Sequence, residues 1–249
     1  MSYGQERSSL VAFGMLEEQI RTELKSISKK KKAEISQRFF KTRKGEYGEE
    51  DYFAGITVPE IRDISKRYFR EMTLEEVEYF IQHKYHEYRL FGLITLTYMW
   101  KKAGETERGD IFNLYVRNLK YVNNWDLVDL SAPNIVGEYL KEKDRTILYD
   151  FAKSNNLWKQ RVAIISTFSF IKDKDFVDTL NISEILLHHK HDLIHKAVGW
   201  MLREVGKRDQ VVEEEFLRKY YKEMPRTMLR YSIEKFDEDK RQKYLKGLA

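Results

Sequence analysis

Apolar residues recur at intervals of three and four along almost the whole chain, the spacing that keeps them on one face of an α-helix. One such series is Leu10, Phe13, Leu16, Ile20 and Leu24. Helix-start signals agree, because Thr73 and Glu76 have the spacing of a capping box, and Pro59 and Pro225 lie near the start of a helical pattern. No stretch alternates convincingly as a strand would, and the clearest loop is residues 44–51 (KGEYGEED). The pattern predicts an all-α protein with roughly a dozen helices.

A weak internal repeat underlies these helices. Three segments place basic or polar residues just ahead of small and apolar ones: 88–94 (YRLFGLI), 159–165 (KQRVAII) and 195–201 (HKAVGWM). Phe91, Val162 and Val198 stand 71 and 36 residues apart, which fits a period near 36 with further units around Val128 and Ile233. Helix pairs repeated at this length stack into solenoids. We therefore predict a curved α-solenoid of HEAT-like helical repeats, an ARM/HEAT-type superhelix, with a plain helical bundle as the alternative.

Composition narrows the class of protein. Of the 249 residues, 42% are hydrophobic and 14% aromatic, enough for a packed core and too many for a disordered protein. The absence of Cys excludes a disulfide framework, a thiolate zinc site and a cysteine nucleophile, and suits a reducing cytosol. No apolar run is long enough to cross a membrane, and the first residues lack a signal-peptide pattern. We expect a bacterial cytoplasmic monomer without membrane contact, a single HEAT-like domain over residues 1–249 whose first few residues are disordered.

Positive charge is concentrated near both ends of the chain. The protein has 45 Lys and Arg against 40 Asp and Glu, a formal net charge of +5. Residues 21–44 hold ten basic residues and two Glu, and residues 217–249 hold ten basic and five acidic residues. Such stretches fit a polyanionic partner such as nucleic acid, although solvated helix faces would give the same pattern. The run 29–32 (KKKK) likewise fits either phosphate contacts or a solvated helix junction.

The segment 123–133 (NNWDLVDLSAP) combines features that suggest chemistry. Trp125 and Asp129 are four residues apart and therefore share a helix face. Pro133 has no N–H, and the bond that it cannot make is the one to the carbonyl of Asp129, so the helix should kink or end at this carboxylate. A helix distorted at an acidic residue beside a Trp is a candidate functional site. A capped helix whose Asp residues face water is the alternative.

Two more residues lie in later repeats at positions similar to that of Trp125. Arg161 lies 36 residues after Trp125, and Trp200 lies 39 residues after Arg161. In a solenoid with a period near 36, these residues and Asp129 are predicted to line one concave surface. The indoles would offer cation–π faces, and Arg161 would offer a phosphate contact. The arrangement suits a ligand that carries both a cation and a phosphate.

In these residues the chain resembles the AlkD-like DNA alkylation repair glycosylases, a family of HEAT-like repeat proteins. The strongest match is the Trp-Asp-x-Val-Asp segment from Trp125 to Asp129. Further similar segments follow in the family's order: 55–62 (GITVPEIR), 158–163 (WKQRVA), 196–204 (KAVGWMLRE) and 225–231 (PRTMLRY). The resemblance covers about residues 30–235. Around Phe39 and Lys41, where the family pattern has a Tyr, this chain has Phe, so no hydroxyl group is available for a contact there.

The resemblance implies a DNA glycosylase of base excision repair that removes cationic alkylated purines, chiefly 7-methylguanine and 3-methyladenine, from double-stranded DNA without a cofactor. It implies that Asp129 is catalytic and stabilises an oxocarbenium-like transition state. No lysine of the constellation is placed as a Schiff-base nucleophile, so we expect a monofunctional enzyme. The residues implied to bind substrate and DNA are Trp125, Arg161, Trp200, Arg203, Phe39 and Lys41. A noncatalytic DNA-binding solenoid of the same superfamily and a HEAT-type protein scaffold are the alternatives.

A histidine cluster is the remaining candidate for a functional site, in this case a metal site. It comprises His188, His189, His191 and His195, and the last two have a spacing that metal ligands use. No Glu completes a HExxH arrangement, and no Cys is present. We therefore predict solvent-facing or phosphate-contacting histidines and no metal.

Overall fold

The computed structural model describes residues 3–49 and 51–249, with side chains from Gly14 onward. The expected disorder of the first few residues falls on the start of the chain and lies outside the described residues. The chain divides into two compact units, Met1–Leu127 and Val128–Ala249. The boundary falls within one helix, and each unit is described by itself. The single-domain assignment over residues 1–249 stays a prediction.

The first unit is built from helices that surround one buried helix. In chain order they are α1 (Tyr3–Ser26), α2 (Lys30–Phe39), α3 (Val58–Tyr68), α4 (Leu74–Ile81), α5 (His86–Trp100), α6 (Glu105–Arg117) and the first turn of α7 (Trp125–Ala132). Helices α3 and α4 pack on α5, which is buried along almost its whole length. On α1, Ile20 and Leu24 are fully buried as the apolar spacing predicted, while the side chains of Leu10 and Phe13 lie outside the described part.

Local signals explain where these helices begin. The capping box predicted at Thr73 and Glu76 is formed in both directions, with the Glu76 carboxylate accepting from the Thr73 N–H at 2.7 Å. A second box starts α3, where Glu60 accepts from the N–H of Thr57 at 2.8 Å and Pro59 occupies an early position that needs no N–H partner. Both boxes satisfy amide groups that a helix start leaves without partners. The prediction of helix starts at these positions is confirmed.

The second unit continues with shorter helices around α13. They are the rest of α7, a π-helical turn (Pro133–Gly137), α8 (Glu138–Leu140), α9 (Thr146–Lys153), α10 (Leu157–Ser166), α11 (Phe168–Lys172), α12 (Val177–Ile185), α13 (Asp192–Gly206), α14 (Gln210–Tyr220), α15 (Arg226–Ser232) and α16 (Glu238–Lys246). Helices α10, α14 and α15 pack on α13. A Cβ at Gly199 would lie 2.5 Å from the Met228 carbonyl oxygen, so α13 and α15 approach more closely there than any side chain allows.

The predicted repeat is present in the order of the helices. Helices α5, α7, α10, α13 and α15 begin at residues 86, 125, 157, 192 and 226, which are 32 to 39 residues apart. Within the described ranges the chain forms no strand beyond an isolated bridge between Tyr52 and Tyr85. The all-α class and the α-solenoid of helical repeats are therefore confirmed. None of the described helices is both long and apolar enough to span a membrane.

Candidate active site

Helix α7 ends where the sequence predicted. It runs from Trp125 to Ala132 and is followed at once by a five-residue π-helical turn that begins at Pro133. Pro133 cannot donate a hydrogen bond to the carbonyl of Asp129, which explains the break in the regular helix. At the next position, the Asn134 side chain donates a hydrogen bond to the Leu130 carbonyl at 2.7 Å. Such π-turns within helices occur frequently at functional sites.

Asp129 is held by Arg161 in the second unit. The guanidinium donates from Nε to Asp129 Oδ1 at 2.8 Å and from Nη2 to Oδ2 at 2.7 Å, a two-point fork. The Arg161 side chain is only 6% exposed, whereas the Asp129 side chain remains 18% exposed. Arg161 Nη1 also donates to the Leu193 carbonyl, which fixes the guanidinium from the other side. Asp129 is therefore a rigidly oriented carboxylate that solvent can still reach.

Arg161 itself is placed by the start of α10. The Asn156 side chain caps this helix by accepting from the N–H groups of Trp158 and Lys159 at 3.0 and 2.9 Å. Arg161 follows one turn later, and its guanidinium points to Asp129 rather than outward. The structure thus brings Asp129 and Arg161 together as predicted. The phosphate contact expected of Arg161 stays a prediction, and the geometry favours a role in orienting Asp129.

Helix α13 carries the other two predicted site residues of the second unit. Trp200 is partly buried, and its Nε1 donates to Glu204 Oε1 at 3.3 Å. Burial opposes the charged form of Glu204, but hydrogen bonds from Lys207 and Arg208 outweigh it and lower the pKa of this carboxyl. Arg203 forms an ion pair with Glu234, and its side chain is 16% exposed. Arg203 is therefore engaged within the protein, and its contact with DNA stays a prediction.

In the first unit, Trp125 belongs to an aromatic cluster. Its ring stacks on Phe40 at 5.5 Å and meets the edge of Phe39 at 6.1 Å. Phe39 is 63% exposed, and the neighbouring Lys41 is also exposed. The structure thus brings two predicted contact residues, Phe39 and Trp125, side by side. This exposed aromatic edge with a nearby cation has the composition of a nucleic-acid contact.

Sequence reasoning missed a buried polar network at the start of α7. His86 is buried, with Nε2 2.8 Å from Asp126 Oδ2 and Nδ1 3.2 Å from Asp51 Oδ2. The imidazole also stacks on Phe53 at 4.7 Å. Burial disfavours the charged imidazole, but the carboxylates of Asp126 and Asp51 outweigh it and raise the pKa of His86 to about 9. His86 therefore carries a positive charge at neutral pH and ties α7 to α5.

Asp51, within the segment predicted to be a loop, anchors this network. Its carboxylate accepts from Asn123 Nδ2 at 3.0 Å and from Asn124 Nδ2 at 2.9 Å, and it pairs with Arg89. Burial alone would raise the pKa of Asp51, but hydrogen bonding to His86 and the charge of Arg89 lower it to about 2. The available signal was the charged run HEYR at the start of the apolar helix α5, because charges on a fully buried helix need partners. Its partners, however, lie 35 to 40 residues away.

The histidine cluster of the second unit has structural partners. His191 Nδ1 accepts from the Leu193 N–H at 3.1 Å and so caps α13, and His189 Nε2 lies 3.0 Å from Gln160 Oε1. His195 Nε2 contacts the carbonyl of His189. Among the residues that the structure describes, no group of three or more His, Cys, Asp or Glu side chains could hold a metal ion. His189, His191 and His195 therefore cap and connect helices, whereas His188 is exposed, as predicted, with Nε2 3.5 Å from Glu223 Oε2.

Comparison with known proteins identifies the family of the chain. The model of the family described as DNA alkylation repair enzyme matches residues 20–236. A solved structure described as a predicted DNA alkylation repair enzyme from Enterococcus faecalis is similar with a TM-score of 0.69 and 19% sequence identity, covering 85% of this chain and 97% of that one. At this identity the likeness shows the fold alone. No curated protein matches the sequence. Because the family match spans most of its length, the chain belongs to the DNA alkylation repair enzyme family.

Proposed function

We propose that the protein is a DNA glycosylase that hydrolyses the N-glycosidic bond of cationic alkylated purines, such as 7-methylguanine and 3-methyladenine, in duplex DNA. Membership of the family supports a role in repair of alkylated DNA. The observation that carries the proposal is the carboxylate of Asp129, fixed at both oxygens by Arg161 and still accessible to solvent. The reaction would begin base excision repair.

An oriented carboxylate is the group that this reaction needs. An alkylated purine with a positive charge is already an activated leaving group, so little acid assistance is required. As the C1′–N bond breaks, its electron pair leaves with the base, and positive charge develops on the deoxyribose. A carboxylate gains interaction energy with that charge only as the transition state forms, which is the condition for catalysis. Water oxygen then bonds to C1′ and its proton passes to solvent, leaving an abasic site.

Further residues named from the sequence would orient the reactants. Arg161 would keep Asp129 from rotating, so that the carboxylate needs no rearrangement during the reaction. Trp125 and Trp200 would pack against the sugar and backbone of the damaged strand. Phe39, Lys41 and Arg203 would contribute DNA contacts beyond the reacting nucleotide. No lysine takes part in this proposal as a nucleophile, which makes the enzyme monofunctional.

The test is release of free 7-methylguanine from methylated duplex DNA by the purified protein. Asp129→Asn should lower the rate about 10²–10³-fold while DNA affinity stays similar or rises, because one negative charge is lost. Asp178→Asn is a matched control, since Asp178 also accepts a hydrogen bond from an arginine, Arg145, at 2.6 Å in the same unit. This control should keep the wild-type rate.

The outcomes separate the candidate functions. Equal release by the wild type and Asp129→Asn would keep the glycosylase but assign catalysis to another residue. No release by either protein, with DNA still bound, would identify a noncatalytic DNA-binding solenoid. Loss of activity in the Asp178→Asn control as well would mean that the assay reports stability rather than chemistry.

A further inference from the structure

The first unit contains a cleft that the proposed chemistry does not use. Its volume is about 740 Å³, within the range of sites that hold small molecules. One wall is the face of α1 that presents Arg21 and Lys25, four residues apart and so on the same side of the helix. The rest of the lining comes from within residues 28–33, from Phe53 and Ala54, and from within residues 83–88.

The cleft carries unbalanced positive charge. Arg21 is paired with Glu18 on its own helix. Lys25, Lys30 and Lys84 line the same cleft, and none of them forms an ion pair with a carboxylate of the described residues. The first turn of α2 also contains no acidic residue and no side-chain cap, so its N–H groups add to the positive potential. This concentration of cations favours an anionic ligand.

Planar rings lie beside these cations. His83 stacks on Tyr88 with ring centroids 4.3 Å apart, and Tyr85 lies next to them at 5.6 Å from His83. Burial lowers the pKa of His83 to about 4, so the imidazole is neutral at pH 7 and acts as an aromatic surface. The ammonium of Lys84 sits over the Tyr85 ring at 5.2 Å. Cations for phosphate next to rings for a sugar or base are the combination that binds nucleotides in a strand.

The backbone beneath the cleft is fixed before any ligand binds. The N–H of Lys29 donates to the Ala54 carbonyl at 3.0 Å, and the carboxylate of Glu87 accepts from the N–H groups of Ala54 and Gly55 at 2.7 and 2.8 Å. Gly55 has φ 77°, and a Cβ there would overlap the Lys29 carbonyl oxygen. The backbone at Ala54 and Gly55 therefore joins the start of α2 to α5. A preformed site loses little entropy on binding.

We propose that this cleft is a second nucleic-acid contact, in which Lys25, Lys30 and Lys84 hold phosphates of a DNA strand and Tyr85 contacts the sugar or base. The proposal rests on the proposed function only in taking DNA as the source of the phosphates. A free nucleotide offers the same chemistry. The two sources are separated by the experiment.

The experiment measures binding of an undamaged fluorescent duplex by the full-length protein at several salt concentrations, so that excision plays no part. The test variant is Lys25→Glu with Lys84→Glu. The control is Lys66→Glu with Lys153→Glu, an equal charge change at exposed lysines outside the cleft. Each lost phosphate contact should reduce the slope of log K against log salt by about 0.9. The test variant should therefore show a slope smaller by about 2 and weaker binding than the control, with an unchanged Tm.

A second arm titrates deoxyguanosine monophosphate into both variants and the wild type. A slope equal to that of the control would overturn the assignment to a DNA strand, and nucleotide binding lost only in the test variant would then assign the cleft to a free nucleotide. Absence of salt-dependent duplex binding by the wild type would contradict the proposed function itself. In that case, nucleotide binding that is lost in Lys25→Glu with Lys84→Glu would still support a phosphate site in the cleft. If the wild type bound no nucleotide either, the phosphate site would be overturned.

Discussion

Replacing Arg161 with lysine keeps the positive charge next to Asp129 but removes the fork. A lysine has a single nitrogen and cannot reach both carboxylate oxygens and the Leu193 carbonyl at once, as the guanidinium does. Asp129 would keep an attractive neighbour and lose its fixed orientation. Arg161→Lys therefore separates the effect of charge from the effect of geometry.

The expected magnitudes follow from the bonds that are lost. One hydrogen bond to a charged group contributes about 1.5–3 kcal/mol to stability. A chain of this length shifts its Tm by about 2–4 °C for each kcal/mol, so the Tm should fall by about 3–12 °C. A catalytic group displaced by about 1 Å can cost about 10²-fold in rate, and we expect excision of 7-methylguanine to fall by about 10- to 100-fold.

The assay is single-turnover excision with saturating enzyme, together with DNA affinity and Tm. Arg145→Lys is the matched control, because Arg145 also binds two carboxylates and a carbonyl in the same unit, at 2.6 Å each. It should lose a similar amount of stability and keep the excision rate. Wild-type excision by Arg161→Lys despite a lower Tm would refute the orienting role. Arg161→Ala removes the charge as well, and a weaker DNA affinity of that variant with a salt slope reduced by about 0.9 would instead identify Arg161 as the phosphate contact.

Two further predictions concern the first unit. Burial opposes the charged form of His86, but Asp126 and Asp51 outweigh this effect and raise the pKa of His86 from its ordinary value of 6.5 to about 9. The stability contributed by its charge is therefore complete below pH 6.5 and is lost as the pH rises through about 9, and His86→Gln should flatten the profile of Tm between pH 7 and 10. Gly55→Ala should cost about 1–3 kcal/mol in the free energy of urea unfolding from its backbone conformation alone. Gly14→Ala, within α1 and with free space around it, should not lower this free energy, and equal midpoints of the two variants would contradict this reasoning.

Features set by local spacing could be predicted from the sequence. The capping box of Thr73 and Glu76, the break of α7 at Pro133 and the repeat near 36 residues each depend on residues close together in the chain or at a fixed period. The period also placed Arg161 near Asp129, because equivalent positions of successive repeats are neighbours. It did not predict their ion pair, since Arg161 was expected to contact a phosphate.

Features set by side-chain partners across helices could not be predicted. Asp51 lies at the end of the segment predicted to be a loop, and nothing in that segment indicated that this residue is buried and anchors His86. Arg203 was expected to contact DNA from the family resemblance, and nothing in its local sequence indicated that it pairs with Glu234. A single sequence shows which face of a helix is apolar, and it does not show which polar groups meet at the edges of that face.

The fork on Asp129 also bears on which lesions the proposed enzyme could remove. Both oxygens of the carboxylate accept hydrogen bonds from a guanidinium, so the fork holds the group as an acceptor rather than as a proton donor to a departing base. Discrimination would then depend on how readily each base leaves, rather than on how well it fits a cavity. Labile adducts would be released whatever their bulk, and neutral adducts with stable bonds would remain in the DNA even when bound. The lability of the damaged base, and not a binding pocket, would determine this selectivity.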